Sequence, residues 1–224
     1  MKWAWDKTLP SGGLSILAAK PKVGKSTLAR NLALAVARGA SFLGRDTAPG
    51  SVVLLALEEK RPEVAAHFAR MGASDEPIHI HVGGAPEEAL VALDAAIVET
   101  GATLAIVDPL QRLVRLRDGN DYSQVSTALE PLLLLARRTG CHIMLVHHLG
   151  KGEREGGDSI LGSTALFGSV DSALIEKRRD EVRTLESIQR YGVDLPRTVL
   201  AVESVTGTLE ASGTVSEVES QEVV

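Results

Sequence analysis

The run Ala19-Lys20-Pro21-Lys22-Val23-Gly24-Lys25-Ser26-Thr27 constrains this chain more than any other stretch, because of what lies on either side of it. Residues 14–18 form a short apolar segment of strand type, and residues 26–40 repeat apolar side chains at helical spacing. Strand, tight loop and helix start, in that order, aim the free N–H groups and positive dipole end of the helix at an anion. Gly24 lets the backbone approach a phosphate closely, Lys25 is placed to reach β- and γ-phosphates, and the Ser26 hydroxyl is placed to coordinate magnesium. The pattern G-x-x-x-x-G-K-[ST] expects glycine where Ala19 stands. Ala19 serves if its φ is negative, whereas a left-handed conformation there costs roughly 1–2 kcal/mol. The competing reading is a lysine-rich turn ahead of an ordinary helix. The strand and helix that bracket the loop favour phosphate binding, and hence nucleotide triphosphatase chemistry with residues 20–27 as the cradle.

The rest of the chain alternates in the same way. Residues 51–57 are a continuous apolar run ending at Glu58-Glu59, which suits a central parallel strand with carboxylates at its C-terminal end. Residues 62–71 read as helix, 78–82 as strand, 86–100 as helix, and 103–107 as a buried strand ending at Asp108-Pro109. Residues 122–139 read as a helix with Pro131 as a candidate bend, and 142–146 as a strand ending at His147-His148. Strands alternating with helices imply an α/β fold with a mainly parallel central sheet flanked by helices, and ligands of such sheets bind outside the carboxyl ends of the strands. From residue 173 the pattern changes to short strands at 173–176, 182–188 and 198–202, with turn residues at Tyr191-Gly192 and Gly207, which reads as an antiparallel extension.

Four polar groups therefore converge on one sheet edge: the Lys25 loop, Glu58-Glu59, Asp108 and His147-His148. Asp108, at the tip of a rigid apolar strand, is the candidate second magnesium ligand beside Ser26. Hydrolysis needs a group that orients or deprotonates water, and Glu58 or Glu59 fits that role. Glu58 is favoured because it directly ends the apolar run; a solvated acidic helix start is the bland alternative for either. At least one of His147 and His148 is a candidate sensor of the γ-phosphate, against the alternative of hydrogen-bonded histidines with no role. Grouped with Cys141 and His142, or with His79 and His81, the pair matches no usual zinc spacing.

Three charged segments remain. Residues 111–121, with Arg112, Arg115 and Arg117, and residues 151–162, rich in glycine and charge, read as loops that in a ring line a channel and grip single-stranded DNA; as isolated charge runs they are solvated surface. Lys177-Arg178-Arg179 is either a trans-acting cationic element inserted into a neighbouring subunit's site or a basic β-turn.

Composition narrows the class. At 224 residues the chain suits one domain, and its single cysteine, Cys141, excludes an internal disulfide. No apolar run approaches membrane-spanning length and no basic-then-apolar leader opens the sequence, which points to a cytoplasmic protein. From residue 198 onward there are five glutamates (203, 210, 217, 219 and 222) and no Lys or Arg, so removing them from the net charge of −5 leaves residues 1–197 at zero. A DNA site is then a local cluster rather than a whole basic face. The expected division is a domain at 1–205 and an acidic, flexible tail at 206–224, frayed after Gly213.

With these residues placed, the chain resembles the RecA-like P-loop ATPases across residues 9–203, and most closely the branch of RepA-type hexameric plasmid replicative helicases. The marks are Leu9-Pro10-Ser11-Gly12-Gly13-Leu14, the loop Pro21-Lys22-Val23-Gly24-Lys25-Ser26, Val146-His147-His148 with Lys151 beyond, the segment 162–171, and Arg190-Tyr191-Gly192. The resemblance implies ATP and Mg2+ as cofactors, a ring with active sites between subunits, a glutamate base at Glu58 and a magnesium-linked Asp108. It also implies a sensor in the His147-His148 pair and an arginine finger within Lys177, Arg178 and Arg179. Relatives of KaiC and RadA type share the paired Glu58-Glu59. Lys20 sits where ParA/MinD-type partition ATPases carry an extra lysine, although Pro21-Lys22 replaces the paired glycines of that group. A DNA motor, a nucleotide-dependent assembly switch and a non-hydrolysing nucleotide scaffold are the readings left open.

Overall fold

Residues of the sheet interior are apolar on both faces, and that decides the layering. In the computed structural model, which describes residues 1–114, 122–149 and 164–221, the strands β3 (Leu14–Ala19), β4 (Val52–Ala56) and β6 (Leu104–Asp108) bury nearly every side chain. Such runs satisfy a sheet covered on both sides. The main sheet among the described residues has nine strands in the order β11-β10-β9-β8-β3-β7-β6-β4-β5. Here β5 is Ile78–Val82, β7 His142–His148, β8 Ser172–Arg179, β9 Val182–Gln189, β10 Thr198–Val202 and β11 Leu209–Thr214. From β5 to β8 the pairings are parallel; β8 to β11 is an antiparallel ribbon. A separate hairpin joins β1 (Trp3–Trp5) to β2 (Leu9–Pro10).

Helices cover the two faces. On one, α1 (Lys25–Arg38) and α2 (Arg61–Arg70) pack Leu28, Leu32, Val64 and Phe68 against Leu17, Leu54, Ile106, Val146 and Leu174. On the other, α3 (Ala89–Thr100), the short α4 (Leu110–Leu113), α5 (Tyr122–Thr139) and α6 (Thr164–Gly168) pack against Ile16, Leu55, Val107, Leu145 and Ala173. Alternation along the strands follows, so even-numbered positions on β6, β7 and β8 face α1 while odd-numbered ones face α5. The helix α5 runs through Pro131, whose side chain is exposed.

Two expectations change. Lys177-Arg178-Arg179 lies within β8, paired in register with β9, rather than after a strand; the turn is at Asp180 and Glu181. The second correction concerns the segment from 206, which continues the sheet: β11 pairs with β10, and α7 (Val215–Gln221) follows. Leu209 is buried, and its N–H donates to Asn31 Oδ1 of α1 at 2.9 Å, while Asn31 Nδ2 donates to the Gly207 carbonyl at 3.0 Å. Those bonds tie the start of the expected tail to the helix behind the phosphate loop.

Candidate nucleotide site

The strand β3 delivers its last residue, Ala19, fully buried and with no positive φ. The missing glycine is therefore harmless, because this position is strand rather than turn. The left-handed conformation falls instead on Lys22, at φ 64, three residues later. Gly24 caps α1 at φ 144, a value that suits glycine. Lys25 opens the helix at 5% exposure, and its ammonium donates to the carbonyls of Ala19 and Lys20, both at 3.0 Å. Burial lowers the Lys25 pKa, opposed by the charges of Asp108 and Glu176. Lys20, Pro21 and Lys22 are exposed along the loop and Val23 is buried beneath it, while the Thr27 carbonyl accepts a bond from Asn31 Nδ2 at 2.9 Å.

Asp108 ends β6 on the α1 face. Burial raises its carboxyl above the usual range, opposed by a hydrogen bond that it accepts from the Ser26 hydroxyl. Loop and strand thus bring together two hard oxygen donors, the kind a magnesium ion takes with nucleotide phosphates and water completing its shell. The residues fit that ion.

Beyond the end of β4 the two glutamates diverge. Glu59 accepts two hydrogen bonds from Arg30 Nη1 of α1, at 2.8 and 3.0 Å, and the Arg30 side chain is only 6% exposed. Glu58 accepts one from Arg112 Nε, at 2.8 Å, in a pair where Arg112 is 59% and Glu58 37% exposed. His148 Nε2 stands 4.0 Å from the other Glu58 oxygen. Burial and the Lys25 charge lower the His148 pKa, with Glu58 and Asp108 opposing.

The histidine pair divides across the sheet. His148 falls in line with Ala19 and points to the α1 face, whereas His147, in line with Ala18, belongs to the opposite one. Burial, His148 and Lys25 push His147 down to about 4. Both keep a buried Nδ1 with no partner, which leaves each a free polar atom near the loop. His142, at the other end of β7, has both ring nitrogens engaged, with the Pro10 carbonyl at 2.7 Å and Ser15 Oγ at 2.8 Å.

Within β8, Lys177 donates to Glu186 at 2.6 Å, Arg178 donates to the Asp180 carbonyl at 2.9 Å, and Arg179 is exposed. The candidate loop at 151–162, and Arg115 and Arg117 of the other, lie outside the described residues. Sequence reasoning missed Arg30 and the Arg112–Glu58 contact. It also missed Glu176 and Arg183, which flank Gly24; Glu176 ends an apolar stretch beside the phosphate-loop strand, the same signal that found Asp108.

Residues 1–154 match the family pattern described as AAA domain. The chain belongs to this family. An AAA domain is an ATP-binding P-loop ATPase module, and the phosphate loop, Ser26 and Asp108 fall inside the matched span. The fold agrees: a large, mostly parallel sheet between helices, with antiparallel strands at the C-terminal side, as in P-loop NTPases. The AAA match ends before β8, so the antiparallel ribbon lies beyond it. No curated protein matches the chain. Among the described residues, no helix is long and apolar enough to cross a membrane.

Proposed function

We propose that this AAA domain is a magnesium-dependent ATP-hydrolysing motor of RecA-like, RepA-helicase type, which assembles as a homo-oligomeric ring, hexameric by resemblance, and acts on single-stranded DNA. The observation that carries the reading is the contact between Glu58 and Arg112. The candidate water-activating carboxylate is held by the first cation of the segment proposed to grip DNA, so a phosphate that draws Arg112 away frees Glu58.

In the working site the N–H groups at the start of α1 and the Lys25 ammonium bind the β- and γ-phosphates. Ser26 and Asp108 are the residues that would hold a magnesium ion, which when bound would supply positive charge against the phosphates. Glu58 orients the attacking water and accepts its proton. His148, neutral because of its burial, offers a polar atom toward the γ-phosphate from the strand that leads into the second proposed DNA loop. Lys177, Arg178 or Arg179 of one subunit reaches a neighbour's site, which makes turnover depend on assembly.

A second reading, an assembly switch of KaiC or ParA/MinD type, has one observation in its favour: Lys20 is exposed at the loop rim, where a partner subunit can meet it. Steady-state ATP hydrolysis with and without single-stranded DNA, at low and moderate salt, separates the two. Strong, salt-sensitive stimulation is expected for the motor. Absence of any DNA effect, with turnover rising with protein concentration, would replace the motor by the switch. Light scattering that finds a fully active monomer with ATP and magnesium would overturn the trans-acting cation.

A further inference from the structure

Glu176 is the last α1-facing residue of β8 before the ribbon becomes exposed, and only 1% of it is accessible. Neither of its carboxylate oxygens has a hydrogen-bond partner. It stands beside the phosphate loop: a β-carbon added to Gly24 would come within 2.6 Å of Glu176 Oε1 and within 2.6 Å of Arg183 Nη1. Arg183 arrives from β9, across the hairpin, paired in register with Arg178. A hydrogen at Gly24 is thus what lets the carboxyl and the guanidinium close on the loop. The charged groups facing Glu176 are Arg183 from β9 and Lys25 from α1. The β3 strand alongside contributes only Ala18 and Ala19 at this level.

A buried carboxylate without hydrogen bonds is costly unless a cation or a proton neutralises it. Without nucleotide, Lys25 and Arg183 supply positive charge. A bound nucleotide commits Lys25 to phosphate and places further negative charge beside the same loop. We infer that Glu176 is the proton-accepting partner of the nucleotide site, its carboxylate taking up one proton as phosphates enter and Arg183 setting how readily it does so. Burial already pushes Glu176 up to about 7, with Arg183 and Lys25 opposing, so the group is largely ionised above neutral pH before nucleotide arrives. Phosphate charge raises it further on binding. Proton uptake then accompanies association, and affinity falls as pH rises above about 7. The inference rests on the nucleotide reading but not on DNA.

The test is isothermal titration calorimetry of Mg-ADP in buffers of different ionisation heat, for the wild type, Glu176→Gln and Arg183→Met, with thermal melting as a check on folding. The wild type is expected to take up between about half and one proton at pH 7.5, and to lose about fivefold to tenfold in affinity between pH 6 and 8 beyond any loss seen in E176Q. E176Q should bind as tightly as the wild type at pH 6 and more tightly at pH 8, without that uptake. R183M, which removes a cation from Glu176, should shift the pH window upward. Equal proton uptake in the wild type and E176Q, or a window unmoved in R183M, would overturn the inference while leaving the nucleotide site intact. No binding by any form at any pH would overturn the nucleotide reading and this inference with it.

Discussion

Two arginine–glutamate pairs stand side by side past the end of β4, and they differ in everything but their chemistry. Arg30 and Glu59 meet through two hydrogen bonds from a nearly buried guanidinium on α1. Arg112 and Glu58 meet through one, near solvent, at the edge of a segment that has just left the sheet. A buried arginine has no replacement for its partner, since water does not reach it. An exposed one trades its carboxylate for water or phosphate at little cost. Adjacent residues of the same type are thus assigned to different work: Glu59 anchors the loop helix to the sheet, and Glu58 is free to change partners.

The largest effect is expected at Glu58. E58Q should lower saturated turnover by about 100-fold or more, equivalent to about 2.7 kcal/mol, with nucleotide affinity and melting temperature little changed. Unchanged turnover would transfer the role to Glu59 and dissolve the contrast. Next, E59Q should destabilise the fold by about 2 kcal/mol in urea titration, because it strips Arg30 of its charge partner; a loss no greater than that of E58Q would show that burial does not distinguish the pairs. R112Q should raise DNA-independent turnover by about twofold to fivefold, the range an exposed ion pair commands, and should shrink the stimulation by DNA. A basal rate that falls would make Arg112 a helper of catalysis rather than a restraint. Smallest of all, raising salt at saturating nucleotide should lift wild-type basal turnover by less than about twofold through screening of the exposed pair, and should leave R112Q flat.

Much of this contrast was hidden in the sequence while the elements around it were not. Strands such as Val52–Ala56 and Leu104–Asp108 announce themselves, because a strand buried on both faces must be continuously apolar. The phosphate loop, Ser26 and Asp108 were legible for the same reason: strand ends fix where the polar residues that follow must lie. Where Glu58 and Glu59 point was not legible, since it depends on arginines 54 and 29 positions away in the chain. The ribbon was read only partly. Lys177 to Arg179 look like a turn because a strand paired on its way out of the core needs no apolar side chains, and β11 buries only Leu209. Glu176 and Arg183 meet at Gly24 through the register of a hairpin, which no local motif encodes.

The two hydrogen bonds of Asn31 bear on where this protein can be cut. By its sequence motifs the molecule looks finished near residue 205, and a trimmed version ending there would keep every motif by which its chemistry is recognised. It would also leave an α1 side chain, only 8% accessible, without the Gly207 carbonyl and the Leu209 amide that satisfy it. The damage would surface one turn away, at Thr27 and the start of the helix that receives the phosphates, so a shortened protein that binds nucleotide poorly would be reporting a lost brace and not a misassigned site.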